Sequence, residues 1–393
     1  MSREASDELL AGTRISTFAQ PQAFDWVARR GLFGATLAGY TSLHSLGRAA
    51  IYWAIRGLQL SPETIVKMPA YHCGVEVQAV LDAGLRVEFY RIGPDLTIDL
   101  DDLERRLVVR PGPVFFIHYF GFGQPDVVAV EEMCRQFGLP WVEDCAHALF
   151  SDHQGRPLGA LAPLAIFSLR KTLPLFEGGA LQVHPGRLAE LGLSFQAPPP
   201  GRFSHVPYRL YLREAIRRLA GDWAIDLYQR MRGHDVIAPT EWTDALQERD
   251  RYPDRLAGIS RRVAASADPS AVVERRRENW LALDARLAGW PGYSRVFETL
   301  PAGVCPLFLV IRASQREPLR AALREKGIET YVFGAWRHPR LDTPAPSEAG
   351  ALRDEILCLP VHQQLTAEQI DRIAETARPL LAKYGWLEAG QRN

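Results

Sequence analysis

Lysine is nearly missing from this chain: Lys67, Lys171, Lys326 and Lys383 stand beside forty-two arginines in 393 residues. Net charge is missing too, with 46 basic and 46 acidic side chains. That removes any bulk attraction to nucleic acid or to an anionic membrane. No apolar run is long enough to span a bilayer; the richest, "PVFFIHYFGF", has the length of a buried strand. The first twenty residues carry acids and no apolar stretch, so no secretory signal is expected. Five cysteines, at 73, 134, 145, 305 and 358, are odd in number and widely spaced, without a C-x-x-C pair. They read as reduced thiols in a cytoplasmic protein, with neither a disulfide framework nor a metal site. Against this background, the lysine in "FSLRKTLPLFEGGAL" (167–181) needs an explanation. A short apolar strand there runs into two cations and a Glu-Gly-Gly loop.

What is present is alternation. From residue 45, "GRAAIYWAIRGL" has helical spacing, "TIVKMPAY" reads as a strand, "GVEVQAVLDAG" as a helix closed by glycine, and "RVEFYRI" as a strand. "DLDDLERRL" (helix), "PVFFIHYF" (strand), "VVAVEEMCRQFG" (helix) and the strands "PWVEDC", "LAIFSLR" and "GALQVH" follow. The strands are continuous apolar runs, as when helices cover both faces of a mainly parallel sheet. Chemistry on such sheets lies beyond the carboxyl ends of the strands. Residues 185–250 break the pattern with a Pro-rich connection and a basic helical stretch over 207–233. A long charged helix, "SAVVERRRENWLALDARLAG", precedes a second alternation built from "VCPLFLVIR", "REPLRAALREKG", "ETYVF", "EILCLPV" and "AEQIDRIAETARPLLAKYG". The expected organisation is a large α/β domain over 1–250, with a divergent 185–250 insert, and a smaller C-terminal α/β domain over 251–393. "ERRRENW" (274–280) reads as a solvated helix face, and His362 as a loop histidine near the domain junction.

Four features fall at the active end of this sheet. "SLGRAA" (45–50) opens a helix whose free N–H groups suit a phosphate; a plain turn before a core helix is the alternative. "WVEDCAHAL" ends a strand with Glu143 and Asp144, followed by His147; a carboxylate there needs a cationic partner, unless it is only a helix cap. Ser168 and Lys171 lie on the next strand and its exit, where a desolvated lysine could act as nucleophile; otherwise its stem packs and its ammonium reaches solvent. In "HYFGF" (118–122), His118 and Tyr119 are neighbours on a strand, so at most one faces a ligand. Together these parts describe pyridoxal phosphate, which needs a phosphate cup, an aspartate on its ring nitrogen and a lysine for its aldehyde.

The chain resembles the DegT/DnrJ/EryC1/StrS family of sugar aminotransferases, a branch of the fold-type I pyridoxal-phosphate enzymes. The resemblance rests on "GRAA", "MPAYHCGVEVQAVLDAGL", "HYFGFGQP", "GLPWVEDCAHAL", "FSLRKTLPLFEGGAL" and "ILCLPVHQQLTAEQIDRIAE", and covers residues 40–185 and, more loosely, 255–385. It implies that Lys171 bonds to the cofactor aldehyde and that Asp144 pairs with its ring nitrogen, both as catalytic residues. It implies His147 beside the ring hydroxyl, Ser168 with Gly47, Arg48 and Ala49 around the phosphate, and the Tyr71–Cys73 segment against the ring face. His118, Tyr119 and Glu177 are the candidate substrate contacts. Two features depart from the family pattern. The gap from Ser168 to Lys171 is two residues shorter than the commonest form. The segment that reaches a neighbouring subunit's phosphate site has no clear match in 195–250, and Arg48 is the candidate to supply its charge.

The function implied is transfer of an amino group from glutamate to a ketone on a nucleotide-linked sugar or a similar small molecule, by a cytoplasmic homodimer with its sites at the interface. The apolar segment "FDWVARRGLFGATLAGY" is the expected partner surface. The alternatives are a sugar dehydratase of the same family, whose members carry histidine where this chain has Lys171, and a non-catalytic binding or regulatory protein on the same fold.

Overall fold

The computed structural model describes residues 14–21, 37, 39–220, 248–335, 338 and 347–387. The segment expected to face a partner lies mostly outside these residues, as does 221–233 of the basic helical stretch.

The elements follow the expected alternation. They are β1 (Ser42–His44), α1 (Gly47–Gly57), β2 (Ile65–Pro69), α2 (Gly74–Asp82), β3 (Arg86–Tyr90), α3 (Leu100–Val109), β4 (Val114–Ile117), α4 (Val127–Gln136) and β5 (Trp141–Asp144). A small hairpin of β6 (Asp152–His153) and β7 (Arg156–Pro157) leads to β8 (Leu164–Phe167), α5 (Leu169–Thr172) and β9 (Gly179–Val183). Local chemistry accounts for the boundaries. Asp99 caps α3 by accepting from the Asp102 N–H at 2.9 Å. Cys73 and Glu76 form a capping box at the start of α2.

The large sheet has seven strands in the order β1-β9-β8-β5-β4-β2-β3. From β8 to β3 the pairs are parallel, with Ile117 opposite Asp144 and Asp144 opposite Ile166. β9 runs antiparallel to β8, and β1 antiparallel to β9. The central strands are buried along their whole length, the signature of a sheet covered on both faces.

Beyond it, α6 (Pro185–Glu190) and α7 (Val206–Ala220) lead to α8 (Gly258–Ala265), whose Val263 and Ala264 pack with Leu173, Leu175 and Tyr211. The C-terminal unit comprises α9 (Pro269–Leu287), β10 (Phe308–Arg312), α10 (Arg316–Glu325), α11 (Ser347–Glu355), β11 (Ile356–Pro360) and α12 (Ala367–Tyr384). β10 and β11 form an antiparallel pair, and α9, α10 and α12 supply its core through Trp280, Leu283, Leu319, Leu323, Ile373 and Leu381.

Three local readings are corrected. "ETYVF" contributes one bridge, Tyr331 to Cys358, and no strand. The strand expected through "HYF" stops at Ile117, because Tyr119–Gly121 turns as a 3₁₀ segment with Phe120 at φ 56°. In the run 274–280, Arg276 and Asn279 are buried with Val272, Trp280, Leu283 and Leu287: they share the helix's inward stripe, so only part of that run is solvated.

Candidate active site

The carboxyl ends of β8, β5, β4 and β2 and the β1–α1 turn bring the expected residues to one end of the sheet. Beyond β8 the chain does not exit as a strand. Ser168 takes the N-cap position of α5, a single helical turn with Lys171 as its third residue. The Leu173 N–H donates to the Leu169 carbonyl at 2.8 Å, and Gly178 accepts from the Leu169 N–H at 3.0 Å. Lys171 is half-buried, and the protein around its amine lowers its pKa through desolvation; Glu76 and then Asp144 pull it back up.

Asp144 is fully buried at the last position of β5. Its Oδ1 accepts from the Ala146 N–H at 2.8 Å, while its Oδ2 has no partner among the described residues. Burial raises its pKa to about 6, against the opposing pull of Lys171. A buried carboxylate oxygen without a donor is costly, and a protonated ring nitrogen is one group that would satisfy it.

His147 stacks on Phe120, and the Phe120 N–H donates to its Nδ1 at 3.3 Å. Burial, then the nearby Lys171 charge, pushes its pKa well below the usual histidine value. The ring is therefore neutral with the proton on Nε2, which has no partner among the described residues.

α1 begins at Gly47 without a side-chain cap. Gly47 lies against Ser168: a Cβ there would stand 3.4 Å from the Ser168 Cβ and 3.5 Å from its Oγ. A helix N-terminus and a hydroxyl thus share one corner, an anion-binding arrangement. Burial lowers the Arg48 pKa to about 10. Tyr71 is buried with its hydroxyl donating to the Phe333 carbonyl at 3.3 Å, and Cys73, at the N-cap of α2, has its thiol pushed up by burial to about 12.

The candidate substrate contacts separate. His118 turns to Glu143, with Nε2 3.8 Å from Oε2, and its Nδ1 accepts from the Gln124 N–H at 3.0 Å. The Tyr119 hydroxyl donates to the Tyr71 carbonyl at 2.5 Å. Glu177 accepts from the Ala257 N–H at 2.7 Å, which ties the Glu-Gly-Gly loop to the start of α8. His118, Glu143 and Cys145 place three potential ligand atoms within 4.8 Å of one another. The Gln124 N–H fills the Nδ1 lone pair, and Nε2 has no hydrogen-bond partner among the described residues.

Glu76 escaped the sequence reading. It is 5% exposed, accepts from the Cys73 N–H at 3.1 Å, and has its pKa raised well above the usual range by burial and then by Asp144. Its capping-box spacing after the β2 exit was the available signal. The site thus sets one amine of lowered pKa near two buried carboxylates, an arrangement able to hold a proton and to supply a nucleophilic nitrogen.

The profile of the DegT/DnrJ/EryC1/StrS aminotransferase family matches residues 40–201 and 268–378, on either side of the irregular stretch. A dTDP-4-dehydro-2,3,6-trideoxy-D-glucose 4-aminotransferase of Saccharopolyspora spinosa is 24% identical over 93% of this chain and 94% of its own. A UDP-N-acetyl-3-dehydro-alpha-D-glucosamine 3-aminotransferase of Acidithiobacillus ferrooxidans is 23% identical over 95% and 94%. Among solved structures, Helicobacter pylori PseC, an aminotransferase involved in the biosynthesis of pseudoaminic acid, superposes with a TM-score of 0.68 at 16% identity, covering 94% of this chain and 100% of its own; that likeness speaks for the fold. The chain belongs to the DegT/DnrJ/EryC1/StrS aminotransferase family.

Proposed function

We propose that this protein is a pyridoxal-phosphate-dependent aminotransferase that moves an amino group from glutamate to a keto group of a nucleotide-linked sugar or similar ketone. One observation carries the reading: the orphaned Asp144 Oδ2 and the Lys171 amine occupy neighbouring strand exits. The residues fit the cofactor. The open start of α1 with Ser168 suits its phosphate, Asp144 Oδ2 its ring nitrogen, the His147 Nε2–H its ring hydroxyl and Lys171 its aldehyde.

Pyridoxal phosphate, when bound, supplies an electron sink for the carbon that loses its proton. Asp144, ionised against a protonated ring nitrogen, would keep that nitrogen charged. Lys171, whose pKa desolvation lowers from the ordinary lysine value, would be the amine that holds the cofactor aldehyde, and its nitrogen could carry a proton at the reacting centre. Glu76 offsets the charge when Lys171 is protonated. His147, whose pKa burial and then Lys171 hold well below the usual histidine value, would donate as a neutral ring.

The test is borohydride reduction followed by peptide mapping. The adduct is expected on Lys171; an adduct on Lys67, Lys326 or Lys383 overturns the assignment. Lys171→Ala should bind the cofactor without a covalent link. Product mass spectrometry with glutamate and a panel of nucleotide keto-sugars tests the acceptor, and formation of no aminated product would remove that part of the reading. The protein is further proposed to act as a cytoplasmic homodimer, and sedimentation showing only the 44.0 kDa chain at micromolar concentration would refute the dimer.

A further inference from the structure

Arg276 is 1% exposed, and its pKa is lowered to about 10 by desolvation. A guanidinium taken out of water needs its donors filled. Among the described residues, every acceptor it meets is neutral. Its Nε donates to Gln363 Oε1 at 2.8 Å, and its Nη1 to the carbonyls of Pro306 and Leu307 at 3.2 and 3.3 Å. Its Nη2 donates to the Thr172 carbonyl at 3.0 Å, and Gln363 Nε2 donates to that same carbonyl at 2.9 Å.

Thr172 is the last residue of the single turn that carries Lys171. A four-residue helix has no stability of its own, and its terminal carbonyls have no partner within the helix. Here one such carbonyl receives two donors, one of them cationic, which also complements the negative end of the turn. Both donors come from the C-terminal unit: Arg276 from α9 and Gln363 from beyond β11. The same unit reaches the other side of the site. The Leu307 N–H donates to the Phe120 carbonyl at 2.8 Å, and the Phe120 N–H donates to His147 Nδ1. A continuous run of hydrogen bonds thus joins the turn of Lys171, Arg276, residue 307, Phe120 and His147.

We propose that Arg276, with Gln363, is a positioning residue: the pair clamps the Thr172 carbonyl and so fixes Lys171 against the large sheet through the packing of the C-terminal unit. A lone guanidinium is costly to bury even where neutral acceptors fill its donors. Stability alone therefore does not account for a guanidinium aimed at this carbonyl. The proposal rests on Lys171 as the working amine, and its test needs no cofactor.

The experiment is acetylation of the cofactor-free protein across the neutral to alkaline range, with the rate at Lys171 read by peptide mass spectrometry. In Arg276→Met the released turn lets water reach the amine, so the midpoint of the Lys171 profile should rise by about half a pH unit or more toward the ordinary lysine value. Arg276→Lys, which keeps one donor for the carbonyl, should fall between that variant and the wild type. In the cofactor-loaded enzyme, the rate with glutamate should drop on the order of tenfold to a hundredfold in Arg276→Met. A lowered melting temperature with an unmoved Lys171 profile would mean that Arg276 only holds the fold, and the proposal falls. If Arg276→Met does not fold, Gln363→Leu removes one of the two donors, and an unmoved profile there overturns the proposal equally. Should the wild type fail to transfer amino groups at all, the functional reading falls while the acetylation profile still decides the clamp.

Discussion

His147 and Phe120 lie ring on ring, with centroids 5.3 Å apart and planes 16° from parallel, while the Phe120 N–H donates to the imidazole it stacks on. The contact fixes both the plane and the tautomer of His147. His147→Phe keeps an aromatic on the stack and removes both nitrogens. It should cost about 1–3 kcal/mol through the stranded Phe120 N–H, and weaken cofactor binding by about tenfold as one hydrogen bond is lost. His147→Gln should recover most of the binding. Equilibrium titration of the cofactor absorbance measures both, and equal affinity in all three proteins would detach His147 from the site.

Asp144→Asn separates two readings of one carboxylate. If Asp144 only accepts from the Ala146 N–H, asparagine does the same and nothing changes. If it holds the ring proton, the variant should fold, bind cofactor and react with glutamate slower by on the order of a thousandfold, about 4 kcal/mol in the barrier.

The same group sets a pH dependence in the cofactor-free protein. Its folded pKa, about 6, lies above the ordinary 3.8. The folded state therefore holds more protons than the unfolded state between those values, and its stability falls as pH rises through the window. Asp144→Asn should remove that decline, worth about 3 kcal/mol. Lys171 acts in the opposite sense. Its lowered pKa leaves the unfolded chain holding more protons on the alkaline side, so stability rises with pH there. Denaturant melts of both proteins at pH 4.5, 6 and 7.5 would show whether the acid-side slope disappears; parallel curves would contradict the assignment.

The Glu76 carboxylate is the strongest influence that raises the Lys171 pKa against desolvation. Glu76→Gln preserves the acceptor for the Cys73 N–H and removes the charge, so the lysine pKa should fall further. Acetylation of Lys171 in the cofactor-free variant should then become faster at neutral pH. A rate equal to wild type would place Glu76 outside the electrostatics of the site.

Gly179 opens β9 where a Cβ would collide with the Leu46 carbonyl and approach Gly47 N to 2.8 Å. Both are backbone, so Gly179→Ala must displace the start of α1. Cofactor affinity should fall by about tenfold or more, and free phosphate should lose its competition with the cofactor. Unchanged phosphate competition would show that the start of α1 does not bind the phosphate.

Most of the sheet was legible because each central strand is an uninterrupted apolar run between helical patterns, and burial on both faces produces that run whatever the strand's direction. For the same reason the antiparallel return of β9 was not legible: "GALQV" looks like its parallel neighbours. Asp144, Lys171 and Ser168 stood out because polar residues interrupt apolar strand ends. The turn at Ser168–Thr172 did not, since "SLRKT" continues a strand pattern and its one helical turn is held in part by donors from distant residues. Arg276 was hidden among three consecutive arginines, of which helical period selects one for the interior. Glu76 was hidden because an acid in the first turn of a helix is common without any site beside it.

The four lysines end in unequal surroundings. Lys67 is sealed inside with its ammonium 2.5 Å from Glu88, Lys171 sits in the site, and Lys326 and Lys383 are exposed on the C-terminal unit. Amine-directed tethers and dyes too bulky to enter the site will therefore find their exposed lysines on that unit, while a small reagent can also reach the half-buried Lys171. A labelled or immobilised preparation would be held by its C-terminal unit, with the strand-end face of the large sheet left unmodified, and protection of Lys171 by a bound ligand could be read without mutating any lysine.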